Sequence, residues 1–186
     1  RKITILTGVA VVLATSTALA QETFTPPAGV KKSSKTETGA AILQKNAPLS
    51  GMNIYLDGFH SAKDDPAHQM EAHHFCRPVN EGFLHCSLFD SNTSSANLIG
   101  IEYIVSEKLF ETLPQDERKY WHPHNGAIHS GQLVAPGLPA LPEKELMKGA
   151  MNSYGKTWNV WDAPSALTGL GTKRPHGAPM LLWSCN

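Results

Sequence analysis

The chain has 186 residues, enough for one domain with a substantial core and short for two. Hydrophobic residues make up 41% and charged residues 17%, which excludes a disordered or fibrous protein. With 16 basic and 16 acidic side chains the formal net charge is zero, so the broad positive field that non-specific nucleic-acid binding needs is missing, and that class is set aside.

Arg1 and Lys2 precede an apolar run from Ile3 to Leu13, followed by Thr15, Ser16 and Thr17 and then by Ala18-Leu19-Ala20. That order of charged, apolar and small residues predicts a secretory signal peptide over residues 1–20, cleaved after Ala20. Its apolar core is shorter than the ~20 residues a spanning helix needs, and no later stretch is long enough either, so no stable membrane span is expected after cleavage. The expected destination is a periplasm or the cell exterior. Residues 21–39, with Pro26, Pro27, Gly29, Lys31, Lys32 and Lys35, are polar and aperiodic and read as a flexible leader. Residues 40–186 are then one domain.

Within that domain Met52, Ile54 and Leu56 alternate as in a half-buried strand running to His60, and Asp64-Asp65-Pro66 marks a turn. Two extended runs, His73 to Cys76 and Phe83 to Phe89, flank the turn-rich Arg77 to Gly82 and predict a β-hairpin. A turn centred on Glu81 puts Cys76 opposite Cys86, at a Cβ separation of about 4.5 to 5.5 Å that permits a cross-strand disulfide. These thiols are disulfide, metal-ligand or core candidates, and an oxidising destination favours the disulfide; Cys185 is then the odd thiol.

Leu98 to Val105 predicts a strand with Ile99, Ile101, Tyr103 and Val105 on one face and Glu102 on the other, where a carboxylate is either solvated or aimed into a site. Ser106 is placed to cap a short helix carrying Leu109, Phe110 and Leu113. Pro114 opens a second helix that stops at Trp121 and delivers His122 and His124 just beyond its end. Gly131 to Ala135 predicts a strand, and a third helix runs from Pro142 to a glycine cap at Gly155. Thr157 to Asp162 and Pro179 to Trp183 predict two more strands. The expected class is α+β, a mostly antiparallel sheet with about three short helices in a single domain.

The chemistry concentrates in Glu71-Ala72-His73-His74-Phe75-Cys76 and Tyr120-Trp121-His122-Pro123-His124. His122 and His124 flank a proline, a spacing that lets two imidazoles reach one ion; with His74 and Glu102 they make a mixed nitrogen and oxygen set suited to zinc, and also to iron or manganese. His73 and His74 point to opposite faces of a strand, so at most one of them joins, and His74 is the preferred ligand. The competing reading makes all of these buried, hydrogen-bonded structural histidines beside Trp121 and Phe75. No Gly-x-Ser-x-Gly elbow, phosphate-cradling glycine loop, His-Glu-x-x-His helix or Cys-x-x-Cys pair is present, and no reaction is assigned.

From Gly58-Phe59-His60 to Asp162 the chain resembles the oil-body-associated protein family. The resemblance rests on Glu71 to Cys76, Cys86 with Leu88-Phe89-Asp90-Ser91-Asn92, Leu98 to Ser106, Leu113-Pro114, Trp121-His122-Pro123-His124 and Tyr154-Gly155-Lys156-Thr157-Trp158. It implies a domain of unknown biochemical activity whose plant members are tied to lipid-droplet surfaces. The predicted signal peptide departs from that cytosolic setting, so droplet association is not carried over. Two functions are therefore expected of an exported domain: metal binding through the His/Glu cluster, or non-catalytic binding of lipid or another apolar partner, in which Trp158, Trp161 and Trp183 would take part. The natural partner is an unknown small molecule or a lipid.

Overall fold

The computed structural model describes residues 34–44, 48–164 and 171–185. The predicted signal peptide and residues 21–33 of the predicted leader lie outside the described residues. The last part of that leader falls in a helix, α1 (Ser34–Leu43). No helix among the described residues is long and apolar enough to cross a membrane.

Six strands form the body of the domain: β1 (Ile54–Ala62), β2 (Asp65–Asn80), β3 (Phe83–Phe89), β4 (Leu98–Ser106), and, further along the chain, β7 (Ser153–Asn159) and β8 (Met180–Ser184). They pair in the order β2-β3-β4-β7-β8-β1, every pair antiparallel, and β1 pairs with β2 as well. That last pairing closes the sheet. The structure is therefore a six-stranded antiparallel β-barrel with extra strands and few helices, and the expected α+β sheet with three inserted helices is overturned. Closure follows from the length of β2, which pairs with β1 between Asp65 and Cys76 and with β3 between His73 and Asn80, so that His73 to Cys76 is paired on both edges.

The connection from β4 to β7 carries the small elements. These are α2 (Glu107–Phe110), capped by Ser106 as expected, a 3₁₀ turn at Arg118–Tyr120, β5 (His122–Pro123), α3 (Asn125–Ser130), β6 (Leu133–Val134) and α4 (Ala140–Ala150). β5 pairs with the first residues of β7, His122 facing Gly155, and β6 pairs with β1. The second helix expected after Pro114 is only the 3₁₀ turn, with the Arg118 guanidinium donating to the Leu113 carbonyl. The third helix starts at Ala140 and ends at Ala150, so Gly155 is no helix cap but lies inside β7.

The core is the barrel lumen. Leu56, Ala72, Leu88, Ile104 and Leu182 are buried there, with the disulfide between Cys76 and Cys86. The two cysteines face each other in register, Cα atoms 4.0 Å apart, and Cys86 is paired in turn with Glu102. Cys185 is free and half-buried.

Candidate metal centre

Alternation along four strands sends a polar cluster into this lumen. On β1, Leu56, Gly58 and His60 point inward; on β2, Ala72, His74 and Cys76 do. On β4 the inward set is Gly100, Glu102 and Ile104, while Ile101 and Tyr103 face out at 43% and 40% exposure. His122 enters from β5, and His124 sits at the N-terminus of α3, its backbone N–H donating to the Ser153 carbonyl. All five polar side chains, His60, His74, Glu102, His122 and His124, are buried.

The four residues named from the sequence, His74, Glu102, His122 and His124, converge. Glu102 is the hub: its Oε2 lies 2.8 Å from His74 Nε2, and its Oε1 lies 3.3 Å from His124 Nε2 and 3.6 Å from His122 Nε2. Thr157 Oγ1 donates to Oε1 over 2.9 Å. Donor atoms of His60, His74 and Glu102, and separately of Glu102, His122 and His124, lie within 4.8 Å of one another. His60 is the member sequence reasoning missed. Its ring centroid is 5.2 Å from that of His74 and 5.4 Å from that of His122. The signal was present, since the alternation that buries Leu56 carries on through Gly58 to His60. His73 points outward, where Tyr55 Oη lies 2.7 Å from its Nδ1 and Asp57 and Glu71 stand 3.7 and 3.8 Å away.

Protonation can be followed atom by atom. The Ser153 hydroxyl donates its single proton to the Ala150 carbonyl over 2.7 Å, so its contact of 2.8 Å with His124 Nδ1 has the imidazole donating. A neutral His124 then presents a bare Nε2 lone pair to a carboxylate oxygen 3.3 Å away. Two electron pairs face each other there unless a cation, a proton or a metal ion, lies between them. His122 is also unsatisfied, since neither of its ring nitrogens has a hydrogen-bond partner although the side chain is fully buried. Buried polar atoms without partners are rare and call for an occupant or a role.

Gly155 makes room for this arrangement. A Cβ at that position would stand 2.1 Å from Glu102 Oε1, 2.7 Å from His124 Nε2 and 2.9 Å from His122 Nε2. Three donor atoms thus point into space that any other residue would fill. Around them Leu56, Gly58, Ala127 and Leu133 help to enclose a cavity of about 10 Å³, about the room one water molecule or one ion takes.

The electrostatics follow from burial. Burial alone would raise the Glu102 carboxyl, but the positive charge that His74 and His124 carry when protonated, with the hydrogen bonds they then donate, outweighs that and holds it well below the ordinary carboxylate range. Burial drives His60 down to about 3, against the pull of Glu102 and helped by His74 and His124. Burial likewise pushes His122 well below its ordinary value, with His124 adding to the effect. Both imidazoles are therefore neutral in the folded chain, whereas an unfolded chain protonates them below about pH 6.5. Acidification favours the unfolded state by about 1.4 kcal/mol per group per pH unit in that window, and below about pH 4.5 Glu102 adds to the loss. Metal-free protein is expected to lose about 3 kcal/mol of unfolding free energy between pH 7.5 and pH 5.5 from these two histidines. Urea melts at the two pH values check this; equal stability would show that His60 and His122 do not titrate as their burial requires.

Comparison with known proteins fixes the family. The family described as "Protein of unknown function (DUF1264)" matches residues 46–186. Oil body-associated protein 2B of Arabidopsis thaliana is 43% identical over 148 residues, covering 80% of this chain and 58% of its own length. The chain belongs to the oil-body-associated protein family. Oil body-associated protein 2A of Arabidopsis thaliana is 40% identical over 161 residues, 85% of this chain and 63% of its own length. Oil body-associated protein 1A of Zea mays is 40% identical over 154 residues, 79% of this chain and 63% of its own length. The chain thus spans about six tenths of these family members. No solved structure matches the chain. The biochemical activity of this oil-body-associated-family domain is not known.

Proposed function

We propose that this oil-body-associated-family domain binds one first-row transition-metal ion in the barrel lumen, through Glu102, His122 and His124 with His74 and His60 beside them. The observation that carries the reading is His124: its Nδ1 proton is committed to Ser153, so its Nε2 lone pair and that of the unpartnered His122 are free to face an ion shared with Glu102 Oε1. Two imidazoles and one carboxylate suit zinc, iron or manganese. Ser153 would act as the outer partner that sets the tautomer of His124. An ion with an open coordination position lowers the pKa of bound water towards 7 and polarises oxygen-bearing substrates. The chain's own contribution is to hold the His60 and His122 imidazoles neutral, keep Glu102 ionised and enclose the site in apolar walls. Export from the cytosol is part of this proposal and rests on the residues 1–20 pattern.

Dialysis of the purified protein against zinc or cobalt, followed by metal analysis, tests the reading. About one equivalent is expected, falling to less than a tenth with His122→Ala and His124→Ala together, because the two changes remove both imidazoles that share the ion with Glu102 Oε1. Equal metal content in the wild type and the double variant would reject it.

A second reading, binding of lipid or another apolar partner, is favoured by one observation: Leu98, Ile101, Tyr103 and Val160, on and beside the outer side of β4 and β7, are 53%, 43%, 40% and 51% exposed. Of the three tryptophans Trp161 is buried, its indole N–H bonded to the Thr172 carbonyl, and Trp183 packs against His122. Trp158 lies opposite Ile101 in the register. On this reading the protein floats with triolein emulsion droplets, and Ile101→Ser with Tyr103→Ser returns it to the aqueous fraction. A wild type found wholly in the aqueous fraction counts against it.

A further inference from the structure

Beneath α4, at the barrel end where β1, β3 and β4 meet the helix, lies a second cavity of about 270 Å³. Ile54, Leu84, Leu146 and Met147 form its apolar walls. It is separate from the ion-sized cavity but shares two wall residues with it, Leu56 and Ile104. A third link is Ser153, which stands in the wall of the larger cavity and accepts the His124 Nδ1 proton. The ligand cluster therefore backs onto an apolar chamber, with Leu56 and Ile104 common to the walls of both. Chambers of this kind at barrel mouths, apolar with a few polar groups, are where small ligands bind, and this one lies just below the usual size range.

Its charge is one-sided. The ionisable residues that line it are Glu81 and Glu145, both acids, and no Lys, Arg or His stands among them. A carboxylate or phosphate entering would lose water without gaining a basic partner and would face two like charges. We propose that this chamber receives the substrate of the lumen site, and that the substrate is a small, mainly apolar molecule that is not an anion. This inference rests on the metal reading above, and the test separates the two.

Calorimetric titration of the full chain, both metal-free and cobalt-loaded, with octanol, octylamine and octanoate makes that separation, because the three share one chain and differ in charge. Octanol and octylamine are expected to bind both forms, with octanoate at least tenfold weaker, and octanol is expected to shift the visible spectrum of the bound cobalt. Glu81→Gln with Glu145→Gln, both exposed and outside the ligand cluster, should narrow the octanoate gap to within about threefold, the scale of an exposed charge pair. Octanoate binding as tightly as octylamine overturns the charge selection. Octanol binding that leaves the cobalt spectrum unmoved overturns the link between chamber and site. Failure to take up cobalt removes the metal reading, and the substrate assignment with it, even where octanol binds the metal-free chain.

Discussion

Glu102→Gln is expected to lower zinc or cobalt uptake from about one equivalent to less than a tenth and to destabilise the metal-free protein by about 3–5 kcal/mol, the range for losing one partner of a buried charged network. The carboxylate is fully buried and serves four neighbours at once: His74, His122, His124 and the Thr157 hydroxyl. An amide keeps the shape but loses the charge, and its NH₂ must turn towards either the His74 or the Thr157 donor. Hydrogen bonds to a charged group contribute roughly 1.5–3 kcal/mol each, and a donor set against a donor leaves both unsatisfied. Denaturant melts and metal analysis of the same preparation check both parts. A variant that keeps a full equivalent of metal and melts within about 1 kcal/mol of wild type would show that Glu102 is not the hub.

Gly155→Ala is the second large effect, and it comes from adding one methyl group. In a strand, alanine ordinarily costs nothing relative to glycine, and rigidifying the unfolded chain even favours it. Here the methyl carbon would sit 2.1 Å from Glu102 Oε1 and under 3 Å from both His122 Nε2 and His124 Nε2. None of these is the loose end of a surface side chain, so the clash has to be relieved by moving buried groups or by parting β5 from β7. Overpacking of a filled core costs roughly 1–3 kcal/mol, occasionally more, and this case belongs at the upper end. Metal uptake is expected to vanish as well. Gly149→Ala in α4 is the control: a Cβ there meets nothing within 4 Å, and the change should stabilise by about 0.5–1 kcal/mol. Metal bound in full by Gly155→Ala would mean that the space above this residue is not where an ion sits.

Much of the local structure was readable from residue pattern, and the global closure was not. The hairpin that sets Cys76 opposite Cys86 follows from its turn residues and reappears in register. The two histidine segments and Glu102 were found because imidazoles and a lone carboxylate stand out in apolar strands. Period two reveals that a strand has two faces but not which one looks inward. On β4 hydrophobicity points the wrong way: Ile101 and Tyr103 are turned outward, while Gly100 and Glu102 face the lumen. β1 and β2 form a hairpin along nine register pairs, and barrel closure depends on the distant β8 meeting the other edge of β1, a matter of strand twist and long-range pairing that composition does not encode. His60 stands out less because it lies near the end of a strand whose other members are unremarkable, and Gly155 reads as a helix terminator because a glycine after a helical pattern has that meaning far more often than it marks a close approach.

The five polar groups of the lumen come from β1, β2, β4, β5 and the start of α3, stretches far apart along the chain. An unfolded molecule has no counterpart of this constellation, so whatever the folded molecule captures there is released on denaturation. Thermodynamic linkage then makes the surroundings a partner in folding: occupancy at a hundredfold excess over the dissociation constant would add about 2.7 kcal/mol. The same sequence would be robust in one milieu and fragile in another, according to what the medium supplies.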